Sequence, residues 1–226
     1  MTLLKRLAFL LLAGPVPAVA QEFIVTSGRL SDRDFYNLVS CAAEPGQPCQ
    51  GPVVRWSPQD AQDLTVAFAP RPGPFPSGLA IEFDRALDNA IWQISSAAPG
   101  LTLRRARKDE VADITLYLLP IREGDPIRGT PHRELEGVPI GAAIVQIWWD
   151  ARLHITDSAI VFASDIPQYE VLPIMLEELT QAMGLMTDIR NPYYETRSVF
   201  SEDSNSVHKL GEQDRMVLRR HYPGRT

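Results

Sequence analysis

Residues 176–185 read LEELTQAMGL, and the interpretation of the chain is built outward from this stretch. Apolar residues recur here with helical spacing, and the surrounding sequence predicts a helix from about Gln168 to Met186. Glu177 and Gln181 are four residues apart and therefore share one side of that helix.

Elsewhere, apolar runs alternate with turn-rich stretches. A helix is expected at 77–98, with Ser77 as its N-cap, and a closing helix from about Glu212 to His221. The expected strands are 53–56, 64–68, 111–119, 142–149 and 159–163, with a turn near 156–158 before the last one. The polar segment 122–139 is expected to be a loop. This order of elements predicts an α+β domain with a mixed β-sheet.

The stretch 176–185 resembles the active-site helix of metzincin peptidases, whose pattern is His-Glu-x-x-His-x-x-Gly-x-x-His. In that pattern two histidines on one helix face bind zinc, and the glutamate is the general base on the zinc-bound water. The glutamate and the glycine of the pattern are kept here as Glu178 and Gly184. The first two histidines are replaced by Glu177 and Gln181.

The third ligand position of the pattern falls on Thr187, with Asp188 one residue further. None of the three ligands is a histidine, and an amide or a hydroxyl binds zinc poorly. A set of Glu177, Gln181 and Asp188 would suit a hard ion such as calcium better, and then only weakly. We therefore expect no metal and no cofactor, and we treat Glu177, Glu178, Gln181 and Asp188 as vestigial site candidates.

The resemblance continues towards the C-terminus. Residues 198–200 (SVF) stand where metzincins carry their methionine turn, and Leu210, Asp214, Leu218 and Tyr222 match the closing helix of matrixin-like enzymes. The chain is also similar to a family of secreted bacterial proteins, the domain of unknown function 2927. That family combines a Glu-Glu-Leu-Thr-Gln helix, a Ser-x-Phe turn and a Leu-x-x-x-Asp-Arg closing helix. These resemblances imply a zincin-like domain over residues 53–226.

The N-terminus has the pattern of a secretory signal peptide over residues 1–20. A basic start at Lys5 and Arg6 precedes an apolar run, and the small residues 18–20 (AVA) form a cleavage site before Gln21. We expect residues 21–52 to be an N-terminal extension. It holds the two cysteines of the chain, Cys41 and Cys49, which flank a Pro/Gly turn and predict a disulfide; a metal pair is the alternative. The expected location is the periplasm or the extracellular space.

The net charge of the chain disfavours some classes of binding partner. The net charge of −6 argues against nucleic acid or an anionic membrane surface as the main partner. The basic cluster at 104–108 is followed at once by Asp109 and Glu110, which indicates a solvated connector. No apolar run reaches the roughly 20 residues of a membrane-spanning helix.

Three functions are compatible with these observations. The leading hypothesis is a zincin-like domain that no longer cleaves peptides and binds an extended peptide or an envelope protein, in an unknown oligomeric state. The alternative is a metal-dependent peptidase or hydrolase that uses Glu178 as its base, with Glu177, Asp188 or His208 holding the metal. In the third, these residues only stabilise the fold, since an acidic pair on an amphipathic helix is ordinarily a solvated face.

Overall fold

A computed structural model describes residues 18–19 and 21–224 of the chain, and within that part it contains four α-helices and nine strands. The helices are α1 (Asp32–Cys41), α2 (Ser77–Ala97), α3 (Val171–Gln181) and α4 (Glu212–His221). The strands are β1 (Ala18–Val19), β2 (Gln21–Val25), β3 (Arg55–Trp56), β4 (Leu64–Phe68), β5 (Leu103–Arg105), β6 (Ile114–Leu118), β7 (Ala143–Trp149), β8 (His154–Phe162) and β9 (Thr187–Arg190). Apart from β1, the predicted signal peptide lies outside the described residues.

The main sheet is mixed, as the sequence predicts. Its strand order is β1-β7-β8-β6-β4-β5, and β3 pairs with the beginning of β8. Strands β5, β4, β6 and β8 are parallel, whereas β7 forms an antiparallel hairpin with β8 and lies next to the short β1. A second, two-stranded sheet pairs β2 with β9 in parallel. The predicted α+β class is confirmed.

Helix α2 forms where the helical period predicts it. Leu79, Phe83, Leu87 and Ile94 recur on one side and are buried, and the helix packs against α3. Burial of each such side chain contributes about 1.5–3 kcal/mol. The helix begins at Ser77, as predicted, but Ser77 is its first residue and Pro76 occupies the N-cap position.

Helix α1 lies in the segment 21–52, for which the sequence analysis predicts no helix. Ser31 caps it by accepting a hydrogen bond from the backbone N–H of Asp34. Phe35 is fully buried, with its ring 5.2 Å from that of Tyr194 and 5.9 Å from that of Phe200. The segment therefore packs into the same core as the residues after 52. The predicted disulfide between Cys41 and Cys49 is confirmed.

Two predictions of local structure are wrong. The turn expected near 156–158 lies within β8, and the hairpin actually reverses at Asp150–Leu153, where Leu153 N–H donates to the Asp150 carbonyl. The basic cluster at 104–108 is also not a solvated connector over its first two residues. Arg104 and Arg105 lie in β5, where Arg104 pairs with Asp63 and Glu110.

The chain reverses at Gly184, directly after α3. Gly184 has a φ of +91°, and a Cβ atom at this position would lie 2.1 Å from the carbonyl oxygen of Val54. The last carbonyls of this region are satisfied from outside the helix, because the Trp56 indole donates to Ala182 and the Tyr222 hydroxyl donates to Met183. After this turn β9 begins at Thr187 and pairs with β2.

No helix in the described part of the chain combines the length and apolar character needed to cross a membrane.

We expect Gly184→Ala to lower the free energy of unfolding by about 2–4 kcal/mol, because the new methyl group meets the Val54 carbonyl and the left-handed backbone is strained. Gly129→Ala is the matched control, since its φ is +84° but nothing lies within 4 Å of the place where a Cβ atom would stand. That control should lose only about 1 kcal/mol. Urea unfolding of the two variants measures both values, and equal losses would contradict the close approach at Gly184.

Candidate functional site

Helix α3 carries two adjacent glutamates in very different surroundings. Glu177 is half-buried, whereas Glu178 is buried, with only 7% of its surface exposed. The Oε2 atom of Glu178 has no hydrogen-bond partner among the described residues. A buried carboxylate without a partner costs free energy, so it is the kind of group that a ligand could satisfy.

Gln181 and Asp188 are brought together by the turn at Gly184. The side-chain amide of Gln181 donates to both carboxylate oxygens of Asp188, at 2.9 and 3.0 Å. Gln181 stands at the second histidine position of the metzincin pattern, and Asp188 directly follows the third ligand position. The Gln181 amide N–H group points at the Asp188 carboxylate. This contact ties the end of α3 to β9.

Glu177 and Glu178 line a cleft of about 500 Å³, which we call the acidic cleft. Six of its lining residues carry carboxylates, and none of them is basic; these are Glu123, Asp165, Glu170, Glu177, Glu178 and Glu202. Its apolar lining includes Ile166, Pro167 and Ile174, and its far wall is formed by residues 141–143 at the beginning of β7. The carboxylates thus run from an exposed rim to the buried Glu178.

Crowding and burial raise the pKa values of these groups. Burial, with a smaller contribution from Asp188, raises the pKa of Glu178 to about 8. Burial and the nearby Glu202 raise the pKa of Asp188 to about 8, although the hydrogen bond from Gln181 acts in the opposite direction. The pKa of Glu177 is also well above its ordinary value, because of burial and the charges of Asp188, Glu178 and Glu202.

The residues at the metzincin ligand positions do not fit a zinc ion. Gln181 offers an amide whose N–H groups are bound to Asp188, and zinc prefers imidazole and thiolate ligands. Within the described residues, no three His, Cys, Asp or Glu side chains are placed to hold a metal ion together. The site is therefore a set of carboxylates with proton-binding and cation-binding chemistry, and we derive no metal-dependent step from it.

The predicted Ser-x-Phe turn is joined to the closing helix α4 by a buried carboxylate. Asp214 accepts hydrogen bonds from Ser198 Oγ at 2.6 Å and from the backbone N–H groups of Val199 and Gly211 at 3.1 and 2.7 Å. Burial raises the pKa of Asp214, and these hydrogen bonds oppose the rise. The Ser-x-Phe turn also lies beside β9, where Ile189 N–H donates to the Phe200 carbonyl.

The structure gives His208 no role at the acidic cleft. Its two ring nitrogens lie 3.0 and 3.1 Å from the carbonyl oxygens of Ser206 and Tyr169, and it is not among the residues that line the cleft. His221 is fully buried between the Tyr36 hydroxyl and the Val54 carbonyl, and burial lowers its pKa to about 4.

Sequence analysis did not find most of the acidic cleft. Glu123 and Asp165 come from loops, Glu170 from the short 3-10 helix before α3, and Glu202 from the turn beside β9. These residues are separated along the chain and share no motif. The one available signal was the acidic composition of the segments 123–125, 165–170 and 202–203.

A family model described as "Protein of unknown function (DUF2927)" matches residues 84–225 of the chain. The match covers α2 from Asp84 onwards, α3, α4 and the strands from β5 to β9, and it includes every residue that lines the acidic cleft. No curated protein matches the chain.

We expect Glu178→Gln to stabilise the protein at high pH. Because the pKa of Glu178 is raised from 4.5 to about 8 in the folded state, the folded protein binds more protons than the unfolded chain in that interval. Stability therefore falls as pH rises from about 4.5 to about 8.

The variant should gain about 1–3 kcal/mol at pH 8.5 and much less at pH 5, as measured by urea unfolding at both values. Glu44→Gln is the control, because Glu44 is exposed. A gain for Glu178→Gln that does not change with pH would contradict a buried, proton-binding carboxylate.

Proposed function

The chain belongs to the DUF2927 family, and we propose that it is an exported binding module which holds an extended peptide segment along the edge of β7. In this proposal the domain is zincin-like in architecture but does not hydrolyse the peptide. The bound segment lies beside the acidic cleft.

One observation carries the proposal: an extended segment of the chain already pairs with this edge. Ala18 and Val19 of β1 lie opposite Ile147 and Gln146 of β7 in an antiparallel arrangement. An edge strand presents free N–H and C=O groups, which is why extended peptides bind by adding a strand to a sheet. The pairing involves two of the seven residues of β7, and no other strand of the described part pairs with this edge.

The edge leads directly into the acidic cleft. Ala143 begins β7, and Ala142 and Ala143 both line the cleft. A segment that continued along β7 from the position of β1 would therefore pass in front of Glu177 and Glu178. The cleft of about 500 Å³ also argues against the purely structural interpretation, which expects a filled surface at Glu178.

Two contacts support a zincin-like scaffold without peptidase chemistry. The glycine turn after α3 and the Asp214–Ser198 contact under α4 join the three segments that carry the resemblance. The positions of the metzincin zinc ligands, however, do not fit zinc, because the Gln181 amide donates to Asp188 and no imidazole stands there. The alternative of a hydrolase therefore receives less support than binding.

Export is supported by the disulfide and by the predicted signal peptide. The Cys41–Cys49 bond is typical of an oxidising compartment. Strand β1 falls inside the segment 1–20 that the sequence predicts to be removed. In the processed protein β1 would therefore be gone, and β8 would be the one described strand that still pairs with β7.

The test uses the chain's own edge-pairing sequence as the probe. An acetylated and amidated peptide of residues 16–23, with Ala in place of Glu22, should bind the exported protein with a dissociation constant of roughly 10–100 µM. Isothermal titration calorimetry measures the affinity, after mass spectrometry has identified the N-terminus of the protein.

Two N-methylated versions of the peptide serve as matched controls. Methyl groups on one alternate set of backbone nitrogens remove the donors that face β7, whereas the other set faces away. One version should lose binding and the other should keep it. If both bind like the parent peptide, the segment does not pair with a strand edge; if the parent does not bind, the proposed function is wrong for this sequence.

A further inference from the structure

The carboxylates of the acidic cleft are largely without positive partners. Arg122 lies 3.3 Å from Asp165, and Arg190 lies 3.2 Å from Glu202. Glu123, Glu170, Glu177 and Glu178 form no ion pair with any described residue. The protein supplies no positive charge to balance these four carboxyl groups when they ionise, so a cation that binds in the cleft would stabilise their ionised forms.

The buried end of the cleft points to a ligand more directly than its charge does. Glu178 is only 7% exposed, lines the cleft, and leaves Oε2 without a hydrogen-bond partner among the described residues. An orphaned buried carboxylate oxygen is satisfied by a donor, and a cationic donor gives the strongest hydrogen bonds.

The lining favours an organic cation over a metal ion. No three acidic or imidazole side chains of the described part converge on a common point. Ile166, Pro167 and Ile174 provide an apolar wall next to the carboxylates. Lysine and arginine side chains match such a surface, because they bury an aliphatic stem while the charged end reaches polar groups.

We infer that the acidic cleft binds the lysine or arginine side chain of an extended segment paired with β7, with Glu178 and Glu177 as its counter-charges. This inference rests on the proposed function and names the class of peptide that the site selects. A cation in the cleft would lower the raised pKa values of Glu177 and Glu178 and hold both groups in their ionised forms.

The register of β1 locates the selected position. Ala18 lies opposite Ile147 and Val19 opposite Gln146, so each step forward along the added strand moves one step back along β7. A strand continued in this register would place its next three residues opposite Val145, Ile144 and Ala143. Ala143 lines the cleft, and the residue opposite it in the chain's own sequence would be Glu22.

This register explains why the chain's own segment is a poor occupant of the cleft. A glutamate opposite Ala143 would add a seventh carboxylate to the six that line the cleft. The chain instead leaves β7 after Val19 and pairs with β9 from Gln21 onwards. Replacement of that glutamate by a cationic residue should therefore make the segment bind to β7 more tightly.

The experiment compares peptides of residues 16–23 that differ only at position 22. Lys at this position should bind the exported protein at least tenfold more tightly than norleucine, which has a similar stem without the charge, and the native Glu should bind most weakly. A scan that moves Lys by one residue in either direction tests the register. Calorimetry in a buffer of low ionic strength measures each affinity.

The matched protein variants assign the effect to the cleft. The Lys preference should disappear in the double variant Glu177→Gln and Glu178→Gln and persist in Glu44→Gln, because Glu44 is exposed outside the cleft. If Lys and norleucine bind equally to the unmodified protein, the inference fails while the proposed function stands.

A small organic cation tests the cleft without any peptide and so distinguishes failure of the proposed function from failure of the cation site. n-Butylammonium should raise the melting temperature of the unmodified protein more than that of the double variant. If it does so while no peptide binds, the cation site stands and the proposed function fails. If neither butylammonium nor the Lys peptide distinguishes the two proteins, the inference is overturned.

Discussion

The close approach of Gly184 to the Val54 carbonyl is the contact on which the arrangement of the site depends. The same carbonyl oxygen lies 3.0 Å from Nε2 of His221, so the glycine turn, the segment before β3 and the end of α4 meet at one point. Trp56 and Tyr222 hold the neighbouring carbonyls at the end of α3. Because the glycine lets the chain reverse against this carbonyl, Asp188 at the start of β9 comes within hydrogen-bond distance of Gln181 at the end of α3.

Two buried titrating groups near this junction affect stability in opposite directions. His221 has a pKa lowered to about 4, so its unfolded form binds more protons and stability falls as pH drops from about 6.5 towards 4. The raised pKa of Glu178 makes stability fall as pH rises towards about 8. The protein keeps an acidic cluster that its own fold makes unfavourable at neutral pH. Such a cost at a concave site is typical of residues that serve binding and not folding.

The sequence predicted the elements whose pattern is local and complete. Strand β4 and helix α4 have the predicted bounds, because their apolar spacing and end signals leave little choice. Helix α1 was missed although Ser31 is a good N-cap, since a short helix before a cysteine loop has only a few apolar positions. The motif spacing placed Gln181 and Asp188 in one candidate site but did not predict their hydrogen bonds. Glu202, Glu170 and Glu123 reach the cleft only through tertiary packing. No local pattern predicts that convergence.

The N-terminal segment divides its pairing between two separate edges, and its sequence is consistent with this division. Residues 18–19 add to β7, whereas residues 21–25 add to β9, where Arg190 lies 3.4 Å from the centre of the Phe23 ring. Among the described residues no other strand pairs with this edge of β7. A segment that continued there in the register of β1 would place a glutamate opposite Ala143, which lines the acidic cleft. On the inference that the cleft selects a cation, this glutamate disfavours that path, and a foreign segment with a cation at the same position would be favoured.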